Sequence, residues 1–216
     1  MGKMDEENGK SYDLQDYLSY KESLDSSMAQ TELKSRKFYN DSYVHAAMVA
    51  DAIIRLATRG HLPIKMYCGE FSIFRDKFSE KINQLKIEIE PRNNAELHEK
   101  WLNFNPHKDL IDSFKTYLDN ENADFQLIVE KDISDIKNER IWDVVGKGLG
   151  DKKVTISKIS GTAGLSHFIV SGNSYRKESS DKEKTAICCF DDATTAGLLS
   201  ANFETLKSKA VKCFDV

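Results

Sequence analysis

Leu165-Ser166-His167-Phe168-Ile169-Val170-Ser171-Gly172-Asn173-Ser174-Tyr175-Arg176 is the stretch from which the rest of the chain can be ordered. Its apolar run, its Gly172-Asn173 pair and its second run with Tyr175 and Arg176 predict two short strands joined by a tight turn. Residues 185–190 read as another apolar strand, reached across a solvated loop at 177–184 rich in Lys, Glu and Ser. Beyond it, Ala196, Leu199, Phe203, Leu206, Ala210 and Cys213 recur at helical spacing. They predict one amphipathic helix that starts on an Asp191 or Asp192 cap and runs to the C-terminus.

Towards the N-terminus, strand and helix patterns alternate. Residues 63–68, 125–130 and 154–159 are short apolar, β-branched runs of the central-strand type. Between the last two, Ile133, Ile136, Ile141 and Val145 mark a helix that Gly146, Gly148 and Gly150 are expected to end. Asn105-Pro106 starts another helix, with Leu110, Ile111, Phe114 and Leu118 inward. A connecting helix is predicted over 95–102, and a helix bearing Phe74, Phe78, Ile82 and Leu85 follows the Gly69-Glu70 exit of the 63–68 strand. Residues 41–60 have the most regular helical pattern, with a cap expected at Asn40 or Asp41 and Gly60 as the left-handed stop. Residues 1–35 are rich in Asp, Glu, Ser, Gln and Lys and read as a flexible or loosely docked arm, leaving 36–216 as one α/β domain. Strands alternating with helices and closed by a hairpin predict an α/β sandwich around a mixed sheet.

Composition excludes several function classes. Of the 216 residues, 40% are hydrophobic and 31% charged, as in a soluble globular domain, and no apolar run is long enough to span a bilayer. No membrane partner is expected. The acidic start, Met1-Gly2-Lys3-Met4-Asp5-Glu6-Glu7, lacks the apolar stretch of a signal peptide, so a cytoplasmic location is expected. Cys68, Cys188, Cys189 and Cys213 include no Cys-x-x-Cys pair, and adjacent cysteines on a strand point to opposite faces. That argues against a metal site and structural disulfides. Gly146-Lys147-Gly148-Leu149-Gly150 follows a helix and precedes a strand, the reverse of the order that cradles phosphate, and no Gly-x-Ser-x-Gly elbow occurs. No cofactor is implied. The net charge of −4 argues against coating nucleic acid by bulk electrostatics, yet residues 146–184 carry eight Lys or Arg against four Asp or Glu. Lys152, Lys153, Lys158, Arg176 and Lys177 are therefore the candidates for a nucleic-acid-binding edge of the sheet.

The His167-Phe168 strand, the Tyr175-Arg176 strand, the Gly69-Glu70 exit and Phe203-Glu204-Thr205-Leu206 resemble the core of phospholipase D-like domains, over residues 41–214. The resemblance implies a phospholipase D-like α/β sandwich with a mixed sheet, preceded here by a mostly helical N-terminal extension. In active members the corresponding strand carries a histidine, a lysine two residues later and an aspartate five further on. Leu165, His167 and Gly172 stand at those positions. A histidine nucleophile also needs a partner that fixes its tautomer and a cation that holds phosphate, and Ile169, two residues after His167, offers neither. The resemblance thus implies a catalytically inactive binding or regulatory protein with a degenerate site, open to a further protein partner. It also implies a homodimer, with the 165–176 hairpin and His167 near the two-fold axis.

An active member would be a phosphodiesterase or nuclease. His98 and Lys100 have the motif's two-residue spacing, with Asn105 at the aspartate position, but residues 95–102 read as helix where the motif needs a strand. His107-Lys108-Asp109 has the motif's letters without its spacing. His167 is the remaining catalytic candidate. A third alternative, a nucleic-acid-binding accessory protein of a bacterial defence or mobile-element system, rests on the divergent character of the chain.

Overall fold

A computed structural model of the chain describes residues 12–160, 165–179 and 185–214. Leu14–Ala29 (α1), Phe38–Asn40 (β1) and Tyr43–Gly60 (α2) lead into Ile64–Cys68 (β2). Asp76–Glu88 (α3), Ala95–Asn103 (α4) and Pro106–Asp119 (α5) then cross over to Phe125–Val129 (β3), and Trp142–Gly150 (α6) crosses to Val154–Lys158 (β4). Phe168–Ser171 (β5), Ser174–Glu178 (β6) and Ala186–Cys189 (β7) precede Ala193–Lys207 (α7) and the short Val211–Lys212 (β8).

The sheet order is β1-β7-β6-β5-β2-β3-β4-β8. β2, β3 and β4 are parallel, as helical crossovers allow, while β5 returns antiparallel beside β2 and continues through β6, β7 and β1. Side chains alternate cleanly between two cores. Ile64, Met66, Phe125, Leu127 and Val129 join the large core beneath α1, α2, α3, α5 and α6, whereas Tyr67 and Ile128 join a smaller one under α7. Lys65 reaches the α7 side as well, where its Nζ lies 2.9 Å from Glu204 Oε1. The predicted mixed α/β sandwich is therefore the observed architecture. Cys188 and Cys189 fall into opposite cores, as adjacent strand residues must.

Several local expectations are corrected. Ser42 caps α2, its hydroxyl accepting from His45 N at 3.1 Å, and His61 rather than Gly60 takes the left-handed stop at φ 51°. The capping aspartate of α7 is Asp192, but that helix ends at Lys207, and Cys213 packs on the large core on the far side of the sheet. Of the predicted loop at 177–184, Lys177 and Glu178 belong to β6, and 180–184 lie outside the described residues. Gly172 carries the hairpin turn at φ +54°, where a Cβ would stand 2.7 Å from Leu62 Cδ1.

Gly146, Gly148 and Gly150 lie inside α6 instead of ending a helix near Val145. The reason is packing. A Cβ on Gly148 would sit 2.5 Å from Val154 Cγ2 and 3.2 Å from Leu118 Cδ1, so the missing side chain lets α6 press onto β4 and α5. Gly148→Ala should destabilise the fold by about 1–3 kcal/mol through overpacking, despite alanine's better helix propensity. A urea titration of the variant reads the shift, and adding Val154→Ala should recover part of it.

The low apolar content of residues 1–35 suggests an arm, but the described part of that segment is docked. Leu14, Tyr17, Leu24 and Met28 of α1 are buried in the large core, against α2 and α4. Tyr12 donates to Asp41 Oδ1 at 2.7 Å, and Tyr12, Tyr17 and Tyr20 surround the buried His45 ring at 4.9, 5.3 and 4.1 Å. Asp25 meets Arg55 of α2 at 2.8 Å, Arg55 meets the buried Asp51 at 3.0 Å, and Asp51 accepts from Ser113 of α5 at 2.5 Å. α1 is thus the outermost layer of the same core.

Candidate functional site

Parallel strands end together, and the loops that leave their carboxyl ends form the natural crevice of an α/β sheet. Here Gly69-Glu70 follows β2, Glu130-Lys131 follows β3, and His167 enters β5 beside them because Tyr67 is paired with Phe168. β6 delivers Arg176 and Glu178 to the same end, with Glu178 N donating to His167 O at 2.9 Å. Strand register therefore converges residues that are far apart in the chain.

The His167 ring is partly buried between two carboxylates. Its Nδ1 is 3.1 Å from Glu178 Oε2, and its Nε2 is 3.7 Å from Glu130 Oε2. The Tyr67 hydroxyl donates to the other Glu130 oxygen, Oε1, and the Tyr67 ring meets the imidazole edge-on at 5.5 Å. Arg176 extends the chain of contacts, with Nη1 3.4 Å from Glu178 Oε1 and Nε donating to Asn40 Oδ1 at 2.8 Å. Burial alone pushes the Glu178 carboxyl up, but the hydrogen bond from His167 and the charge of Arg176 outweigh it and hold the group below its ordinary value. The Cys68 thiol at the cavity wall is pushed up to about 12 by burial, so it stays protonated and is no nucleophile.

A carboxyl group with a lowered folded pKa stabilises the fold above its unfolded value and stops doing so as pH falls through the folded one. Glu178→Gln should therefore cost about 1 kcal/mol at neutral pH, and the gap to the unchanged chain should close as pH drops below about 4.3. Urea denaturation at the two pH values checks it.

His167, Glu130, Glu178 and Cys68 line a cavity of about 220 Å³. It shares Glu70, Ser72, Ile73, Arg176 and Glu178 with a cleft of about 730 Å³, whose outer wall is Arg75, Lys77 and Lys81 on and before α3. Arg75 is tied to Glu139 at 2.7 Å and to Asp135, and Asp76 N donates to Glu139 at 2.9 Å, which fixes the start of α3. The inner rim is strained. Phe71 is left-handed at φ 61° with its amide donating to Cys68 Sγ at 3.2 Å and its ring stacked on Phe74 at 4.4 Å.

The other candidates are dispersed. His98 and Lys100 lie on helix α4, where His98 stacks on Trp101 at 5.0 Å and Lys100 pairs with Glu96 at 2.9 Å. Asn105 caps α5 by accepting from Lys108 N at 3.0 Å. His107 is buried beside Phe78. Lys152 and Lys153 precede β4 and Lys158 ends it, while Arg176 and Lys177 are on β6, with β3, β2 and β5 in between. Lys153 Nζ donates to Leu118 O at 2.7 Å. The five basic candidates do not form one edge. Among the described residues no cluster suited to a metal ion and no helix able to cross a membrane is present. Glu130, Glu178 and Tyr67 were not legible as site residues, and the signals available were carboxylates just past the apolar run of β3 and two residues after Arg176.

Fold and site together define a mixed α/β sandwich with an ionisable cleft at the carboxyl ends of its parallel strands. No family model and no curated protein matches the chain. Among solved structures, it is similar to TrmBL2, an archaeal chromatin protein with a novel mode of DNA binding, at 13% identity and TM-score 0.49 over 92% of this chain and 63% of that one. The chain thus spans less than two thirds of TrmBL2. It is also similar to Nuc, a phospholipase D family member from Salmonella typhimurium, at 11% identity and TM-score 0.45 over 83% of this chain and 97% of that one.

Proposed function

We propose that the chain is a phospholipase D-like domain that has no phosphodiesterase activity and serves as a binding or regulatory component. One observation carries this reading: His167 is held between Glu178 and Glu130, at 3.1 and 3.7 Å, where a phosphodiesterase needs cations. A phosphodiester entering the cavity meets Glu70, Glu130 and Glu178, while Lys131 and Arg176 are paired with Glu70 at 3.3 Å and Glu178 at 3.4 Å. Like charges at such range cost more inside a cleft than in water. Ile169, where a phosphate-holding lysine would follow His167, is 2% exposed.

The test is turnover of single- and double-stranded DNA, RNA and a generic phosphodiester by the pure chain and by its His98→Ala and His167→Ala variants. No turnover is expected from any of them; turnover that disappears with either histidine would establish an enzyme.

The same reading includes a homodimer, in keeping with the family resemblance and with Leu165, an exposed apolar residue next to the cleft. His167→Glu is a poor probe of it, because a third carboxylate between Glu130 and Glu178 destabilises the monomer as well. Sedimentation of the unchanged chain across concentration is the direct reading, and a monomer at tens of micromolar removes the dimer.

A further inference from the structure

We infer that the open sheet face at β1, β7 and β6 binds single-stranded nucleic acid, with a base stacked on Tyr39 and phosphates held by Lys37 and Lys177; this rests on the reading of the chain as a non-catalytic binding component. Tyr39 is 69% exposed, whereas every other described aromatic side chain is buried or half-buried. Register fixes what stands around it. Tyr39 pairs with Ile187 of β7, and Ile187 with Lys177 of β6, so the three side chains share one face of the sheet. That face is the one α7 packs on, since Cys189, two residues along from Ile187, joins the core under α7. Lys37, two residues before Tyr39, is on the same side: its charge helps to hold down the Asp192 carboxyl at the start of α7, after the larger effect of hydrogen bonds from Thr195. The helix lies across β2, β5 and β6, so Tyr39 at the edge of the sheet is left to solvent.

The chemistry of this face fits a strand that combines flat apolar bases with a repeating negative charge. Lys37 is about 7 Å from Tyr39 along β1 and Lys177 about 10 Å from it across β7, so one base can lie on the ring with a phosphate within reach of a lysine on either side. Both lysines are exposed and form no ion pair with a described residue. Arg36, exposed on the other side of the same edge with its guanidinium 5.2 Å from the centre of the Phe38 ring, adds a third cation. Cations along an edge strand repel a second copy of that edge, which favours an anionic partner over self-pairing. A duplex fits less well, because its bases are already stacked on one another and cannot lie on a side chain. Arg176 and Glu178 alternate with Lys177 and point to the opposite face, so this surface is separate from the carboxylate-lined cavity.

The experiment is fluorescence anisotropy of labelled mixed-sequence oligonucleotides of about 15 nucleotides, one of DNA and one of RNA, titrated with the full chain at low salt. Binding of at least one is expected, about tenfold tighter than that of the matching duplex, with log affinity falling against log salt by about 0.7 per phosphate contact. Tyr39→Ala should weaken it by about tenfold, while Tyr39→Phe, which keeps the ring, should stay within about twofold of the unchanged chain. Lys37→Gln combined with Lys177→Gln should flatten the salt slope by about 1.4. Thermal melts confirm that these variants are folded. No binding of either strand with protein at tens of micromolar, binding indifferent to Tyr39→Ala, or displacement by polyglutamate as readily as by unlabelled oligonucleotide, which would mark an acidic protein as the partner, overturns the inference. Gel analysis of the oligonucleotide separates the two claims: an intact strand that does not bind removes the stacking face alone, whereas a strand cut by the chain removes the non-catalytic reading beneath it.

Discussion

A chain that begins at residue 31 is expected to lose its cooperative thermal transition. The deletion removes α1 and with it Leu14, Tyr17, Leu24 and Met28 from the large core. Burying a large apolar side chain contributes roughly 1.5–3 kcal/mol, so the four together contribute roughly 6 kcal/mol. A domain of this kind is stable by only about 5–15 kcal/mol in total. The deletion also uncovers Val44, Met48 and other apolar positions of α2 that are sealed in the core, which adds aggregation to instability. The ion pairs lost with α1, Lys21–Asp109 and Asp25–Arg55, are partly exposed and contribute little by comparison. Circular dichroism melts of the two chains decide it: a truncated protein with an unchanged, cooperative melt would show that α1 is an appendage.

The second large effect lies at the α2–α5 interface. Asp51 is buried, and burial raises its carboxyl above the ordinary range even though Arg55 and Ser113 both pull it down. Removing the cation with Arg55→Met leaves Asp51 buried with only the Ser113 hydrogen bond. Breaking a fully buried pair costs about 3–5 kcal/mol; since Arg55 is partly exposed, about 2–3 kcal/mol is expected at neutral pH. The sign of the pH dependence follows from the raised folded value. Such a carboxyl disfavours folding when ionised, so the penalty of Arg55→Met should shrink as pH falls and Asp51 takes up a proton. Asp51→Asn combined with Arg55→Met should be more stable than Arg55→Met alone, and a double-mutant cycle in urea measures the coupling. A single-variant loss that does not change with pH would show that Arg55 acts by packing.

Much of the fold was legible because its signals are local. β2, β3 and β4 are short segments dominated by apolar and β-branched residues, Asn105-Pro106 both caps and opens α5, and Gly172 marks the hairpin turn. The rest depends on contacts that no local window contains. β1 and β8 have three and two residues, too few for an alternation to register, and exist because β7 and β4 offer unpaired edges. α1 spreads its inward residues among charged ones, so its pattern looks like that of a solvated segment. Gly148 reads as a helix stop until Val154 is seen against it. At the site, His167 was legible as a residue of interest, but its partners were not. Glu130 and Glu178 come from different strands, and only the pairing of β5 with β2 and β6 brings them to one imidazole.

This imidazole, flanked by carboxylates, is expected not to work on phosphodiesters. Hydrolysis of a chromogenic phosphodiester at high protein concentration, followed for the unchanged chain beside His167→Ala, tests it most directly. The expected result is the same background rate for both proteins across about pH 5 to 9, the range over which a histidine titrates. A rate well above background in the unchanged chain, with a pH optimum and a fall to background in His167→Ala, would contradict it.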